Sequence, residues 1–208
     1  MLFRSGLTWI KEDGVEFLWL VDQESAEVVK VTLDGEDVLR LPAPDHSIYA
    51  EQRYIPTWAA QNPLNGEIWV GDGYGTSLVH RYSREGEYLT SIAETAAGPF
   101  NQPHGLNFRI TADGEAELFI TDRCNARIQV LDGDGQFLRT SQSCHSPCCF
   151  DFYEHTVLVP ELFTGVKLLD GDTLECLEEF GASDRVGPRR DGAFWPPEEI
   201  GRASCRER

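Results

Sequence analysis

The chain has 208 residues, 41% of them hydrophobic, with five Trp and eleven Phe, enough apolar material for a sizeable core in one domain or two small ones. Its net charge of -17 argues against nucleic acid and against anionic membrane surfaces as partners, because both are polyanions. The same charge suits a solvated surface and, alternatively, attraction for cations, metal ions included.

The opening run Met1–Asp13 is too often interrupted by charge to read as a signal peptide. No later run approaches the ~18 apolar residues of a membrane-spanning helix. Six Cys at these spacings fix neither a disulfide framework nor a compartment, so localisation stays open. At the other end, Ile200-Gly-Arg-Ala-Ser-Cys-Arg-Glu-Arg208 reads codon for codon as a translated sequencing adapter, and Glu199 fits the codon before it. Residues 199–208 are therefore expected to be non-native, Cys205 among them, and the native sequence is expected to be truncated here. Removing the three Arg and one Glu of Ile200–Arg208 moves the net charge from -17 to -19.

In chain order, a first unit over about residues 5–41 has strands at Leu7–Ile10, Glu16–Asp22, Glu27–Leu33 and Asp37–Leu41. Asp34-Gly35 is its clearest hairpin turn, since Gly accepts positive φ. A polar loop with two Pro follows. The second unit, 56–92, opens at Pro56-Thr-Trp-Ala-Ala and turns at Asn65-Gly66. The third, 103–141, opens at Pro103-His104-Gly105. The fourth, 147–181, opens at Pro147-Cys148-Cys149 and continues through Thr156–Pro160, Val166–Leu169 and Cys176–Phe180. Residues 182–198 read as a loop rich in Gly, Pro, Arg and Asp.

Asp22, Asp72 and Asp122 each close the second strand of a unit and stand fifty residues apart; Glu161 holds that place in the fourth unit. The whole pattern of strand, acidic turn, strand, Gly turn and strand recurs, and no stretch reads as a helix of usual length. That predicts an all-β fold, a β-propeller with about four blades visible, with a β-sandwich as the alternative. Within a propeller blade the strands run antiparallel, so the loop entering strand one and the loop joining strands two and three lie on one face. This parity puts Tyr74, His104 and Arg123, from three different loops, on one rim of the central channel. The plainer readings are a packing Tyr, a satisfied structural His, and Asp72 and Asp122 capping their turns.

The strand–Asp-turn–strand pattern followed by Pro-His-Gly resembles the NHL-repeat six-bladed β-propellers. Within that group, Asp72-Gly73-Tyr74-Gly75-Thr76-Ser77, then Pro103-His104-Gly105-Leu106, then Asp122-Arg123-Cys124-Asn125-Ala126-Arg127-Ile128-Gln129 resembles the peptidylamidoglycolate lyases. These cleave a peptidyl-α-hydroxyglycine to a peptide amide and glyoxylate. The similarity is good over residues 56–135 and loose over about 5–180. The resemblance implies a general base at Tyr74, its proton affinity lowered by the Arg123 cation and by metal-bound substrate. It implies His104 as one of three zinc ligands, with zinc as the Lewis acid and a structural calcium in the channel. The implied substrate is a small peptide-like α-hydroxy amide.

Two departures bear on this. Where the family has a His-Gly-Leu ligand the chain has Ser5-Gly6-Leu7, and the third ligand comes from a later blade not present in the sequence. A catalytic zinc takes three protein ligands, so this chain, with His104 alone, is not expected to bind zinc tightly or to be active by itself. Cys144-His145-Ser-Pro-Cys148-Cys149 places Cys148 or Cys149 near the position that His104 occupies one blade earlier, either as metal ligands or as small residues beneath a loop. Two functions follow: a lyase-like enzyme in the full-length protein, or a non-catalytic NHL propeller that binds a ligand or protein partner on its channel face.

Overall fold

The computed structural model describes residues 6–163 and 165–181. Ser5, the loop 182–198 and the segment 199–208 lie outside the described residues. Among those described, four four-stranded antiparallel sheets follow one another, each a simple meander. The first sheet holds β1 (Leu7–Glu12), β2 (Val15–Asp22), β3 (Glu27–Thr32) and β4 (Asp37–Leu41). The second holds β5 (Trp58–Gln61), β6 (Ile68–Gly71), β7 (Val79–Tyr82) and β8 (Tyr88–Ile92). A two-stranded ribbon, β9 (Glu94–Thr95) with β10 (Gly98–Pro99), precedes the third. That sheet holds β11 (Pro103–Ile110), β12 (Ala116–Asp122), β13 (Arg127–Asp132) and β14 (Phe137–Ser141). The fourth holds β15 (Asp151–Tyr153), β16 (Thr156–Glu161), β17 (Gly165–Asp170) and β18 (Cys176–Phe180).

The sheets stack face against face, and the period-two alternation of their strands makes this stacking favourable. In β12, Leu118 and Ile120 point toward the second sheet and pack with Ala60, Trp69 and Val79. The intervening Phe119 points the other way and packs with Val157, Val159 and Leu169 of the fourth. The second sheet does the same: Trp69 faces the third sheet, while Ile68 and Val70 meet Trp19, Val21 and Val28 of the first. Every residue of β6 and β12 is consequently buried. Full burial of such side chains contributes roughly 1.5–3 kcal/mol each. Sheets stacked in this way, with the innermost strands β1, β5 and β11 in contact, are the blades of a β-propeller. The outward faces of the first and fourth blades expose Leu7, Trp9, Leu158 and Phe180.

The hairpins between third and fourth strands share one solution. Gly35, Gly86 and Gly135 take φ of 86°, 88° and 91°, and a register shift follows each turn. In the fourth blade Leu174 occupies the left-handed region instead, at φ 60°, with the same shift between Leu168 and Leu169.

In the second, third and fourth blades the turn carboxylate ties the blade to the segment leading into its own innermost strand. Asp72 Oδ1 accepts the Ile55 N–H at 2.7 Å, three residues before β5. Asp122 Oδ1 accepts the Asn101 N–H at 2.7 Å, two residues before β11. Glu161 Oε1 accepts the N–H groups of His145 and Ser146. A polar side chain on the third strand serves the same acid from behind: Gln129 Nε2 donates to Asp122 at 2.9 Å, and His80 reaches Asp72 through the Tyr49 hydroxyl. Asp122 is fully buried and also accepts from Asn125 and from the Arg127 guanidinium at 2.6 Å.

Removing that hub strands several buried donors at once. Asp122→Ala is expected to cost ~3–5 kcal/mol in urea unfolding, the range for breaking one side of a buried ion pair. Among the described residues Asp22 accepts from Glu24 N and Ser25 Oγ alone, so Asp22→Ala is expected to cost ~1 kcal/mol. Equal costs for the two variants would contradict the hub.

Candidate functional site

Tyr74 stands in the turn between β6 and β7, and the turn is built around Asp72. The Thr76 N–H and hydroxyl donate to Asp72 Oδ2 at 2.7 and 2.6 Å, and the Tyr49 hydroxyl donates to it at 2.8 Å. Gly73 is required on steric grounds, since a Cβ there would lie 2.5 Å from the Pro103 carbonyl oxygen of the next blade. The same closeness recurs one blade on, where a Cβ at Gly105 would collide with the Cys148 carbonyl and Cys149. Close approach of the innermost strands is what brings side chains of neighbouring blades within bonding range.

His104 is the second residue of β11 and is 9% exposed. Its Nδ1 is 2.9 Å from the Cys148 carbonyl oxygen, which can only accept, so Nδ1 carries the proton. Nε2 is therefore bare, and it faces the Tyr74 hydroxyl at 2.9 Å, which donates to it. Burial, reinforced by the Arg123 cation, lowers the His104 pKa to about 3, which keeps the ring in this neutral form. Arg123 opens the 3₁₀ turn Arg123–Asn125 and is likewise 9% exposed. Its Nη1 donates to the Tyr74 oxygen at 3.3 Å, while its buried Nε has no partner among the described residues. The Tyr74 oxygen is thus gripped from two sides, by an accepting imidazole and by a cation. Tyr74 itself is 38% exposed, so this oxygen sits at the boundary between protein and solvent.

The structure brings together the three residues that hairpin parity placed on one face. Two further participants are not apparent from sequence. Cys148 acts through its carbonyl, which sets the His104 tautomer. Thr121 accepts the Gly105 N–H at 2.6 Å and donates to Cys148 O at 3.3 Å, which bridges the third and fourth blades beneath His104. A hydroxyl in the otherwise apolar run Leu118-Phe119-Ile120 was the one available signal for Thr121.

Cys144, Cys148 and Cys149 are free thiols. Burial pushes all three up, Cys144 to about 12 and Cys149 to about 11, and Cys148 rises despite the pull of Arg123. Among the described residues no three His, Cys, Asp or Glu side chains converge to hold a metal ion. His104 Nε2 is a suitable donor atom, but the described residues do not by themselves make up the three-ligand set of a catalytic zinc or an oxygen cluster for calcium.

A second buried histidine, His80, belongs to the neighbouring network. Its Nε2 is 2.7 Å from the Tyr49 hydroxyl, which is committed to Asp72, and its Nδ1 is 2.7 Å from Ser91 Oγ. Burial, and to a lesser degree His46, lowers its pKa to about 3.

No family model matches the chain. Among curated proteins it is similar to peptidyl-glycine α-amidating monooxygenase B of Xenopus laevis, with 29% identity over 147 residues, 64% of this chain and 16% of that protein. It is similar also to peptidylglycine α-amidating monooxygenase of Rattus norvegicus, 27% identical over 135 residues, 62% of this chain and 13% of that protein. The chain thus spans about a sixth or less of the length of these relatives. Among solved structures it resembles virginiamycin B lyase from Staphylococcus aureus, with a TM-score of 0.60 over 88% of this chain and 56% of that one, at 16% identity. At that identity the likeness concerns the fold, and the chain is a β-propeller.

Both buried imidazoles have folded-state values below the ordinary 6.5, so the unfolded chain takes up these protons first as the pH falls. Stability from this source is complete above about pH 6.5 and is lost as the pH drops toward 3. The ring resonances of His80 and His104 are expected to stay unshifted from pH 8 to pH 5 in NMR titrations, roughly the span over which an unperturbed imidazole titrates. A midpoint near 6.5 for either would contradict its placement.

Proposed function

We propose that the face bearing Tyr74, His104 and Arg123 belongs to a lyase-like enzyme of the NHL-propeller kind, acting on an α-hydroxy amide. The observation that supports this most is the Tyr74 oxygen lying 2.9 Å from His104 Nε2 and 3.3 Å from Arg123 Nη1. Similarity to proteins named for peptide α-amidation agrees with a peptidyl-α-hydroxyglycine as substrate, cleaved to peptide amide and glyoxylate. The full-length protein, rather than this chain by itself, is the proposed enzyme.

The geometry supports a role for each residue. Tyr74 is the general base for the substrate hydroxyl. As Tyr74 takes the hydroxyl proton and the O–H electrons become the second bond of the new carbonyl, the carbon–nitrogen bond breaks, its electrons stay on the amide nitrogen, and the nitrogen takes up the proton that Tyr74 removed. Arg123, whose Nη1 lies 3.3 Å from the Tyr74 oxygen, stabilises negative charge there. Zinc, if carried by the full-length protein, would take His104 Nε2 as one ligand and supply Lewis acidity; its other ligands would lie beyond the described residues. Structural calcium likewise has no proposed ligands here.

The test is glyoxylate release from an N-acylated peptidyl-α-hydroxyglycine by the full-length protein supplied with zinc. Tyr74→Phe is expected to lower kcat by ~10²–10⁴, the usual worth of a positioned general base. Undiminished turnover in Tyr74→Phe would sink the assignment of the base. No glyoxylate at all would favour a propeller that binds its ligand on this face without reaction.

A further inference from the structure

The opposite face of the propeller carries a groove of about 1200 Å³. Its walls come from the loop that joins first to second strand in the second blade and from the first-to-second and third-to-fourth loops, with adjoining strand ends, of the third and fourth blades. Hairpin parity therefore separates it from Tyr74, His104 and Arg123, and the inference does not depend on the function proposed for that face.

Two features of the groove are unusual together. Leu64, Ile110 and Leu138 line it and are 59%, 42% and 45% exposed, so none belongs to the packed core. Asp113, Glu115 and Glu154 stand beside them as exposed carboxylates without a hydrogen-bonded or ion-paired side-chain partner among the described residues. Arg109 is the arginine that lines the groove, and it is already engaged by Glu117 and Asp172, both at 2.7 Å. No lysine lines it. The groove thus offers uncompensated negative charge next to apolar surface.

We infer that this groove docks a short extended peptide segment that carries basic and apolar side chains on the same face. Charge complementarity selects Lys or Arg opposite Asp113, Glu115 and Glu154. The exposed Leu64, Ile110 and Leu138 select an occupant that also removes apolar surface from water, which a metal ion cannot do. Nucleic acid and anionic lipid are repelled by the same carboxylates. The volume exceeds the range of roughly 300–1,000 Å³ for small-molecule pockets and suits several residues of an extended segment, in which every second side chain faces the groove.

The probe is a short fluorescein-labelled peptide of repeating Lys-Lys-Leu-Leu, which puts both residue types on each face of an extended chain, followed by fluorescence anisotropy, with a Lys-Lys-Ser-Ser peptide (Lys–Ser) as the control for the apolar contacts of the first (Lys–Leu). The triple variant Asp113→Lys, Glu115→Lys, Glu154→Lys reverses the groove. The triple variant Asp45→Lys, Glu51→Lys, Glu94→Lys makes the same charge change at exposed positions elsewhere. All six sites are exposed, and an unchanged melting temperature confirms that each variant is folded. The Lys–Leu peptide is expected to bind about tenfold more weakly to the groove variant and nearly unchanged to the other, as the loss of three exposed ion pairs implies. Ile110→Ser with Leu138→Ser is expected to erase the preference for Lys–Leu over Lys–Ser. Equal weakening by both triple variants would reduce the effect to net charge and overturn the site. So would equal affinity for the two peptides, which would leave a cation site only, or no binding of the Lys–Leu peptide.

Discussion

The buried carboxylate at the end of each second strand is the constraint on which the rest of this molecule depends. Asp72, Asp122 and Glu161 each accept a backbone N–H from the segment that leads into the same blade's innermost strand. A short polar side chain at a strand end is what allows this, because the acceptor must reach across a blade edge without leaving the turn. Unpaired, such a buried charge would cost several kcal/mol. Surrounded by turn N–H groups and by Gln129, Arg127 or Tyr49, it fixes the two loops on one face of the blade relative to each other. Those are the loops that carry Tyr74, His104 and Arg123.

Close packing of the innermost strands then turns shared location into contact. Gly73 lets the second blade's turn press on the Pro103 carbonyl, and Gly105 lets β11 press on Cys148 and Cys149. His104 consequently receives its tautomer from the fourth blade and its hydrogen-bond donor from the second. The arrangement couples three blades through one imidazole. A side chain larger than hydrogen at either glycine would separate the parts without touching any of the three site residues.

Much of this was legible in the sequence. The fifty-residue spacing of Asp22, Asp72 and Asp122 and the Gly35, Gly86 and Gly135 turns identify an all-β repeat, because both are backbone requirements that only certain residues meet. The fourth blade was less plain: Leu174 adopts the left-handed conformation that Gly takes elsewhere, and β15 begins only at Asp151, after a single bridge from Pro147 to Glu161. The ribbon of Glu94–Thr95 and Gly98–Pro99 left no sequence signal. Two-residue strands have no periodicity, and Arg127, a residue of another strand, holds the Ala97 and Pro99 carbonyls. Parity placed Tyr74, His104 and Arg123 on one face, but it could not reveal that Cys148 O and Thr121 set the imidazole, since that bond joins residues 44 apart through backbone.

The two faces differ in physical character. One concentrates buried, hydrogen-bonded polar groups around a partly exposed phenol; the other presents exposed carboxylates beside exposed aliphatic side chains. The central claim concerns the first: adjoining blades hold His104 as an Nδ1–H imidazole whose Nε2 accepts from Tyr74. Long-range proton–nitrogen NMR of the ring tests it most directly. The account predicts a protonated Nδ1, an unprotonated Nε2, and a shift of the Nε2 resonance in Tyr74→Phe. An Nε2–H tautomer, or an Nε2 resonance indifferent to Tyr74→Phe, would contradict it.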